Sequence, residues 1–166
     1  MKVIAVVGSG RRAHTCQAVE QFLECLGRLG PVEAEIVRLP DAGLEVCRGC
    51  KLCMDRGEEF CPLGGDSRGL VTKMSDADGV VFATPNYAFS VSGLMKVFLD
   101  RIAYLFHRPR MFGRAFTGIV AQGVFGGGKI LGYLKLIGRA MGFDSVRGSC
   151  ITTLEPMTEK MIHRNN

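Results

Sequence analysis

Residues 2–15 read Lys2-Val3-Ile4-Ala5-Val6-Val7-Gly8-Ser9-Gly10-Arg11-Arg12-Ala13-His14-Thr15, and this stretch decides the fold. After Lys2 the next five residues are apolar and rich in Val and Ile, with no alternation of polar side chains. A strand buried on both faces has that composition, and such strands belong to parallel sheets. The chain then turns through Gly8-Ser9-Gly10. Across 13–29, Val19, Phe22, Leu23, Leu26 and Leu29 recur at helical spacing, and Gly30-Pro31 stops the helix. Strand, glycine turn and helix in that order open a βαβ unit.

The pattern repeats outward from there. Strands are expected at 33–39, 79–83, 116–121 and 145–152. Helical spacing is expected at 70–77, 93–106 and 129–141, and the polar tail 153–166 adds at most one short helix. This alternation predicts an α/β doubly wound parallel sheet of five strands with helices on both faces. With no internal repeat or linker, residues 1–166 are expected to form one domain, with a cysteine-rich insertion at about 45–65.

Composition agrees. The chain has 166 residues, 47% of them apolar and 22% charged, which fits a globular domain and excludes disordered, coiled-coil and collagen-like chains. No apolar run reaches the roughly 18–20 residues of a membrane span. The apolar run near the N-terminus is too short for a signal peptide, so a cytoplasmic protein with no membrane partner is expected. The net charge of +5 suits an anionic ligand, but no nucleic-acid motif accompanies it, so no nucleic-acid partner is expected.

In an open α/β sheet, ligands bind at the carboxyl ends of the strands. Three loops there are candidates: 8–15, 84–92 and 122–129. The first runs into a helix, whose N–H groups and dipole favour an anion, with Ser9, Thr15 and one or both of Arg11 and Arg12 to hold a phosphate. Its G-x-G-x-x-A string is a weak dinucleotide match, because the second strand ends in Arg38-Leu39-Pro40 without an acidic residue. The third loop, Gly123 to Lys129, approaches a Walker A pattern. Ile130 replaces the hydroxyl that binds Mg²⁺, so a glycine loop passing over a flat ligand is expected instead.

The second loop carries a family resemblance. Thr84-Pro85-Asn86-Tyr87, then Ser90-Val91-Ser92-Gly93-Leu94-Met95-Lys96 and Phe98-Leu99-Asp100-Arg101, resemble the second flavin loop of flavodoxin-like NAD(P)H-dependent FMN reductases. Gly8-Ser9-x-Arg11 is similar to that family's phosphate loop. The resemblance implies a flavodoxin-like fold with strand order 2-1-3-4-5 and FMN at the strand ends. By position it implies that Ser9, Arg11 and Thr15 hold the phosphate, with Arg12 and His14 in contact. Pro85, Asn86 and Tyr87 then line the ring, Ala88, Phe89, Ser90 and Ser92 lie nearby, and Gly123, Gly126 and Gly127 close the other side. It further implies a homo-oligomer, dimer or tetramer, with NAD(P)H as electron donor. No side chain is assigned as a general base, because the cofactor supplies the chemistry.

Seven cysteines are many for such a domain, and Cys47, Cys50, Cys53 and Cys61 fall within fifteen residues. Without a secretory signal, this spacing reads as a metal site. A [4Fe-4S] cluster, a zinc site and a group of redox-active thiols are all compatible with it. The cluster motif narrows the resemblance to the iron-sulfur flavoprotein branch, which implies electron transfer through FMN and a [4Fe-4S] cluster, with a ferredoxin-type electron donor. The alternatives are an FMN reductase or flavodoxin-like carrier without a cluster, or an interaction domain stabilised by zinc on the four cysteines. Cys16, Cys25 and Cys150 are expected to pack in the core. The basic run His107-Arg108-Pro109-Arg110 with Arg114 is expected to dock an acidic donor or an NADPH phosphate. Asp76 and Asp78 are expected to be helix-end residues.

Overall fold

The computed structural model describes residues 1–63 and 66–153. The five-residue apolar stretch after Lys2 becomes the central strand β1 (Lys2–Val7), with β2 (Glu33–Arg38) on one side and β3 (Gly79–Pro85) on the other. Next to β3 lies β4 (Ala115–Gln122), and beyond it β5 (Asp144–Ser145) and β6 (Ser149–Thr152) both pair with β4. Every pairing is parallel, and the order is β2-β1-β3-β4-β5. The sheet is flavodoxin-like, as the resemblance implied. The chain reverses its direction of travel between β1 and β3, which leaves a crevice at the carboxyl edge there.

The helices sort by face. α1 (His14–Gly27) turns Cys16, Ala18 and Val19 onto Val3, Ala5, Val7 and Val81. On the opposite face, α3 (Asp66–Ser75), α4 (Gly93–Arg101) and α5 (Gly127–Ala140) pack around Ile4, Val6, Phe82, Phe116 and Val120. Phe82 sits at the centre, fully buried. Its ring meets Phe98 and Phe116 edge-on, with centroids 5.5 and 5.0 Å away. Edge-to-face geometry adds about 0.5–1.5 kcal/mol per pair beyond burial.

Five expectations change. The fifth strand is not continuous. Phe116 pairs with Ser145 and Ile119 with Ser149, so two residues of β4 face three on the edge, Val146, Arg147 and Gly148. The extra residue makes a bulge, held by Thr117 Oγ1 donating to the Arg147 carbonyl at 3.0 Å. Gly148 fits there because a Cβ would lie 2.7 Å from the Gly118 carbonyl oxygen. The helix expected at 93–106 ends at Arg101 and continues as a short 3₁₀ turn, Ala103–Phe106, while the one expected at 70–77 begins earlier, at Asp66. The cysteine-rich stretch contains a one-turn helix, α2 (Leu52–Asp55), and a 3₁₀ turn at Glu58–Phe60. Cys16 is buried as expected, but Cys25 and Cys150 are exposed. Cys25 falls on the outer side of α1, and Cys150 on the edge segment β6, with its Sγ beside Gly127 at the start of α5 but the residue still exposed. The helix expected in the tail falls on residues 154–166, outside the described residues.

Asp76 follows α3 and its N–H donates to Thr72, the helix-end role expected. Asp78 joins the sheet instead: its carboxylate accepts from the Lys2 N–H at 2.7 Å, and its own N–H donates back to the Lys2 carbonyl. Among the described residues no helix is long and apolar enough to cross a membrane.

Candidate functional site

The crevice between β1 and β3 is built by cross-ties between loops. The Gly8 N–H donates to the Ala83 carbonyl at 2.8 Å, joining the first loop to β3. Ser92 caps α4: its hydroxyl accepts from the Met95 N–H and donates to the Gly8 carbonyl at 2.5 Å. The Ser92 N–H donates in turn to the buried Thr84 hydroxyl. The first and second loops are therefore one hydrogen-bonded unit. Gly8 allows this approach, because a Cβ there would lie 2.8 Å from the Met95 Cβ.

A hollow of about 190 Å³ opens above this unit. All three loops contribute to it: Ser9, Arg11, His14 and Thr15 from the first, Pro85, Asn86 and Tyr87 from the second, Gly123 from the third. The sequence placed these eight at one site, and the structure brings them together. Ser9 and Thr15 are buried, and the Ser9 hydroxyl donates to the Arg11 carbonyl, closing the turn. The N-cap of α1 is Ala13, which makes no side-chain cap, and the first turn carries no acidic residue. A fourteen-residue helix thus presents its positive end to the hollow without an internal anion to neutralise it.

Asn86 organises the second loop. Its N–H donates to the Ala121 carbonyl and its Nδ2 to the Phe125 carbonyl. Its Oδ1 is buried and has no partner among the described residues. An orphaned acceptor costs about 1–3 kcal/mol unless a ligand donor meets it, and the polar edge of a flavin ring carries such a donor. Asn86 also lines an adjoining hollow of about 260 Å³ with Ala88, Phe89, Val124 and Phe125. The Phe89 and Phe125 rings there stand 5.2 Å apart. Ala88 and Phe89 both adopt left-handed backbone, φ 49° and 61°, in the tight turn where Tyr87 and Ser90 exchange two hydrogen bonds. Such strain in two non-glycine residues collects at ligand-binding sites. The uncapped helix end, the orphaned acceptor and the aromatic walls fit FMN.

Other expected residues are placed elsewhere. Arg12 turns away and lines a separate hollow with Glu35, Arg38 and Asp41. Ser92 holds the scaffold rather than lining the hollow. Gly126, at φ 100°, packs beside Phe89, and the Gly127 N–H donates to Gln122 Oε1 at 2.7 Å. Gln122 and Thr153 line the main hollow and were not singled out from the sequence. Their signal was position alone, a polar residue at the carboxyl end of a strand.

The cysteine segment lies against α4, with Cys47 within electrostatic reach of Lys96 and the segment's ends at Arg101. Cys47 and Cys50 are exposed, and Cys53 and Cys61 are half-buried, with Cys53 against the main core. Burial pushes the Cys53 thiol up, and the neighbouring Cys61, Cys47 and Cys50 sulfurs push it further, against a smaller backbone hydrogen-bond effect. The other three sulfurs lie within electrostatic reach of Cys53. Among the described residues no three Cys, His, Asp or Glu side chains converge as a metal-binding group. The donor set itself, four thiols at close spacing, suits a thiophilic metal or an iron-sulfur cluster.

The basic run serves this segment from within the chain. Arg108 Nη2 donates to the Met54 carbonyl at 2.9 Å, and Arg110 pairs with Glu58 at 2.7 Å. That hydrogen bond holds the Glu58 carboxyl below its usual range. Tyr104, under Arg110, is pushed up to about 12, chiefly by burial. Arg114 instead binds the Ser75 and Phe112 carbonyls.

Comparison with known proteins gives the family. Residues 1–153 match the model of the NADPH-dependent FMN reductase family. An iron-sulfur flavoprotein of Archaeoglobus fulgidus is 33% identical over 143 residues, which is 86% of this chain and 69% of that one. One from Methanocaldococcus jannaschii is 35% identical over 61% of this chain and 51% of its own length. The chain therefore spans about half to two thirds of these relatives. Among solved structures, an NAD(P)H:quinone oxidoreductase from Methanothermobacter marburgensis superposes with a TM-score of 0.75 at 19% identity, covering 99% of this chain and 91% of that one. An apo NADH:FMN oxidoreductase does so at 0.66 and 22%, covering 91% and 75%. The chain belongs to the NADPH-dependent FMN reductase family, a family of oxidoreductases.

Proposed function

We propose that the chain binds FMN at the carboxyl edge of the sheet and passes electrons between a nicotinamide donor, a second centre and an acceptor. The observation that carries this reading is the convergence of three loops on one hollow at the switch in strand order. The α1 N-terminus, Ser9, Arg11 and Thr15 take the phosphate. Asn86 offers Oδ1 to the ring's polar edge, and Tyr87, Phe89 and Phe125 shield its faces from water. Bound FMN supplies hydride and single-electron chemistry, which the side chains position rather than perform.

The second centre is a [4Fe-4S] cluster held by Cys47, Cys50, Cys53 and Cys61. Its support is the reach of the other three thiols to Cys53 and the likeness to relatives named iron-sulfur flavoproteins. A ferredoxin-type protein is the proposed partner at that end. The chain acts as a homo-oligomer, dimer or tetramer, and the exposed Phe89, Val124 and Phe125 are its proposed contact rim.

The test is an absorption spectrum of anaerobically purified protein, with iron, zinc and sulfide assayed on the same sample. Flavin bands with about four irons per chain support both centres. Flavin without metal removes the cluster, and a colourless protein with one zinc removes the redox reading.

A further inference from the structure

Arg101 ends α4 and is 4% exposed, although the sequence gives it no task beyond closing the flavin-loop motif. A guanidinium is buried at high cost unless its donors are used. Here both Nη atoms are used, on both sides of the cysteine segment, while the buried Nε has no partner among the described residues. Nη1 donates to the Glu45 carbonyl at 3.1 Å, and Nη2 donates to the Leu63 carbonyl and to the Ser67 hydroxyl at 3.2 Å. Glu45 stands two residues before Cys47, and Leu63 two residues after Cys61. All four clustered cysteines therefore lie inside a loop whose ends are tied by one side chain.

We propose that Arg101 is the positioning residue of the four-cysteine segment: its guanidinium clamps the ends of residues 46–62 together, which keeps the four thiols near enough to close on one metal. The assignment of a metal to that donor set rests on the reading given above. The clamp itself does not.

The segment needs such a clamp. Gly49, Lys51 and Gly57 have left-handed or otherwise positive φ, and Cys47, Arg48, Cys50 and Lys51 are exposed. The segment therefore buries little apolar surface of its own, and tying its ends removes loop-closure entropy that its own contacts offset poorly. Arginine suits the task because its five N–H donors form a rigid fork that reaches several acceptors at once, and lysine has no such fork. The placement also links the two regions. α4 starts at Ser92, which is bonded to Gly8 at the flavin edge, and ends at Arg101. Its nine residues span about 14 Å at 1.5 Å each. One short helix thus joins the flavin edge to the clamp, and Cys47 lies within electrostatic reach of Lys96 partway along it.

The test uses Arg101→Lys, which keeps the charge and loses the fork, and Ser67→Ala, which removes one contact of the three. Two measurements are made on metal-free protein carrying FMN. One is the rate of tryptic cleavage at Arg48, Lys51 and Arg56. The other is a Co²⁺ titration, followed by the thiolate-to-metal absorption band. R101K is expected to keep its flavin, to be cleaved about tenfold faster within the segment, and to bind Co²⁺ about 10- to 100-fold more weakly. S67A is expected to change in the same direction by less. Wild-type cleavage and wild-type Co²⁺ affinity in R101K overturn the proposal. Loss of flavin in step with cleavage also overturns it, since Arg101 is then a general core residue. If wild type itself takes up no Co²⁺ while R101K is still cleaved faster, the metal reading fails and the clamp stands.

Discussion

The flavin edge and the cysteine segment are held by different means. At the edge, backbone meets backbone: Gly8 on Ala83, Asn86 on Ala121, and the Ser92 hydroxyl between Gly8 and Met95. These bonds are mostly buried and continuous with the sheet, so the site shares the stability of the core. The cysteine segment is instead held from outside, by Arg101, Arg108 and Arg110, over a backbone with positive φ at three positions. Cooperative units of different stability follow from such differences in burial. The edge is already assembled, and the segment has its ends fixed but its thiols unconverged.

The largest test of this contrast is Phe82→Ala. It removes the ring at the centre of the main core and is expected to cost about 3–5 kcal/mol of global stability. In native-state hydrogen exchange, the amides of β1 and β3 should then exchange much faster, while those of 46–62 stay at their wild-type rates. Equal acceleration in both regions breaks the contrast. Next comes Ser92→Ala, which deprives a helix N-terminus of its cap and the buried Gly8 carbonyl of its donor. A loss of about 1–3 kcal/mol in urea denaturation is expected, with weaker FMN binding by fluorescence titration. An unchanged midpoint means the cross-tie contributes nothing.

Asn86→Leu sharpens the same site. It removes the orphaned acceptor together with the bond to Phe125, so FMN should bind about 1–2 kcal/mol more weakly while apo stability changes less. Equal losses in apo and bound protein would place Asn86 in the scaffold alone. The smallest effect is one of pH. Hydrogen bonding to Arg110 lowers the Glu58 pKa, so its contribution is fully present above the usual glutamate value of 4.5 and is lost as pH falls through the lower folded value. Both partners are partly exposed, so less than about 1 kcal/mol is at stake. Amides 46–62, corrected for intrinsic exchange rates, should open on acidification, and Glu58→Gln should abolish that dependence.

Much of the fold could be read because its signals are local. Unbroken apolar runs such as 3–7 and helical spacing such as Val19, Phe22, Leu23 and Leu26 depend only on neighbours in sequence. The three loops were legible for the same reason, since strand ends are marked by Gly, Pro and polar residues. What escaped depends on distant contacts. The bulge at 146–148 exists because Gly148 meets Gly118 across the sheet edge. Arg12 follows Arg11 directly, yet faces Glu35 and Asp41, because entry into α1 sends successive side chains to different sides. Arg101 belongs to a flavin-loop motif in sequence, while nine residues of helix carry it to the cysteine segment.

The contact between Gly8 and Met95 has a consequence for how this sequence can vary. With Cβ atoms at both positions, the two would stand 2.8 Å apart. Position 8 is therefore chosen together with positions 92 and 95, since the same Cβ would also lie 3.0 Å from Ser92 Oγ and 3.2 Å from the Met95 nitrogen. A library that diversifies the first loop while keeping Met95 will return glycine at position 8, and any other residue there will arrive with a shift at the start of α4.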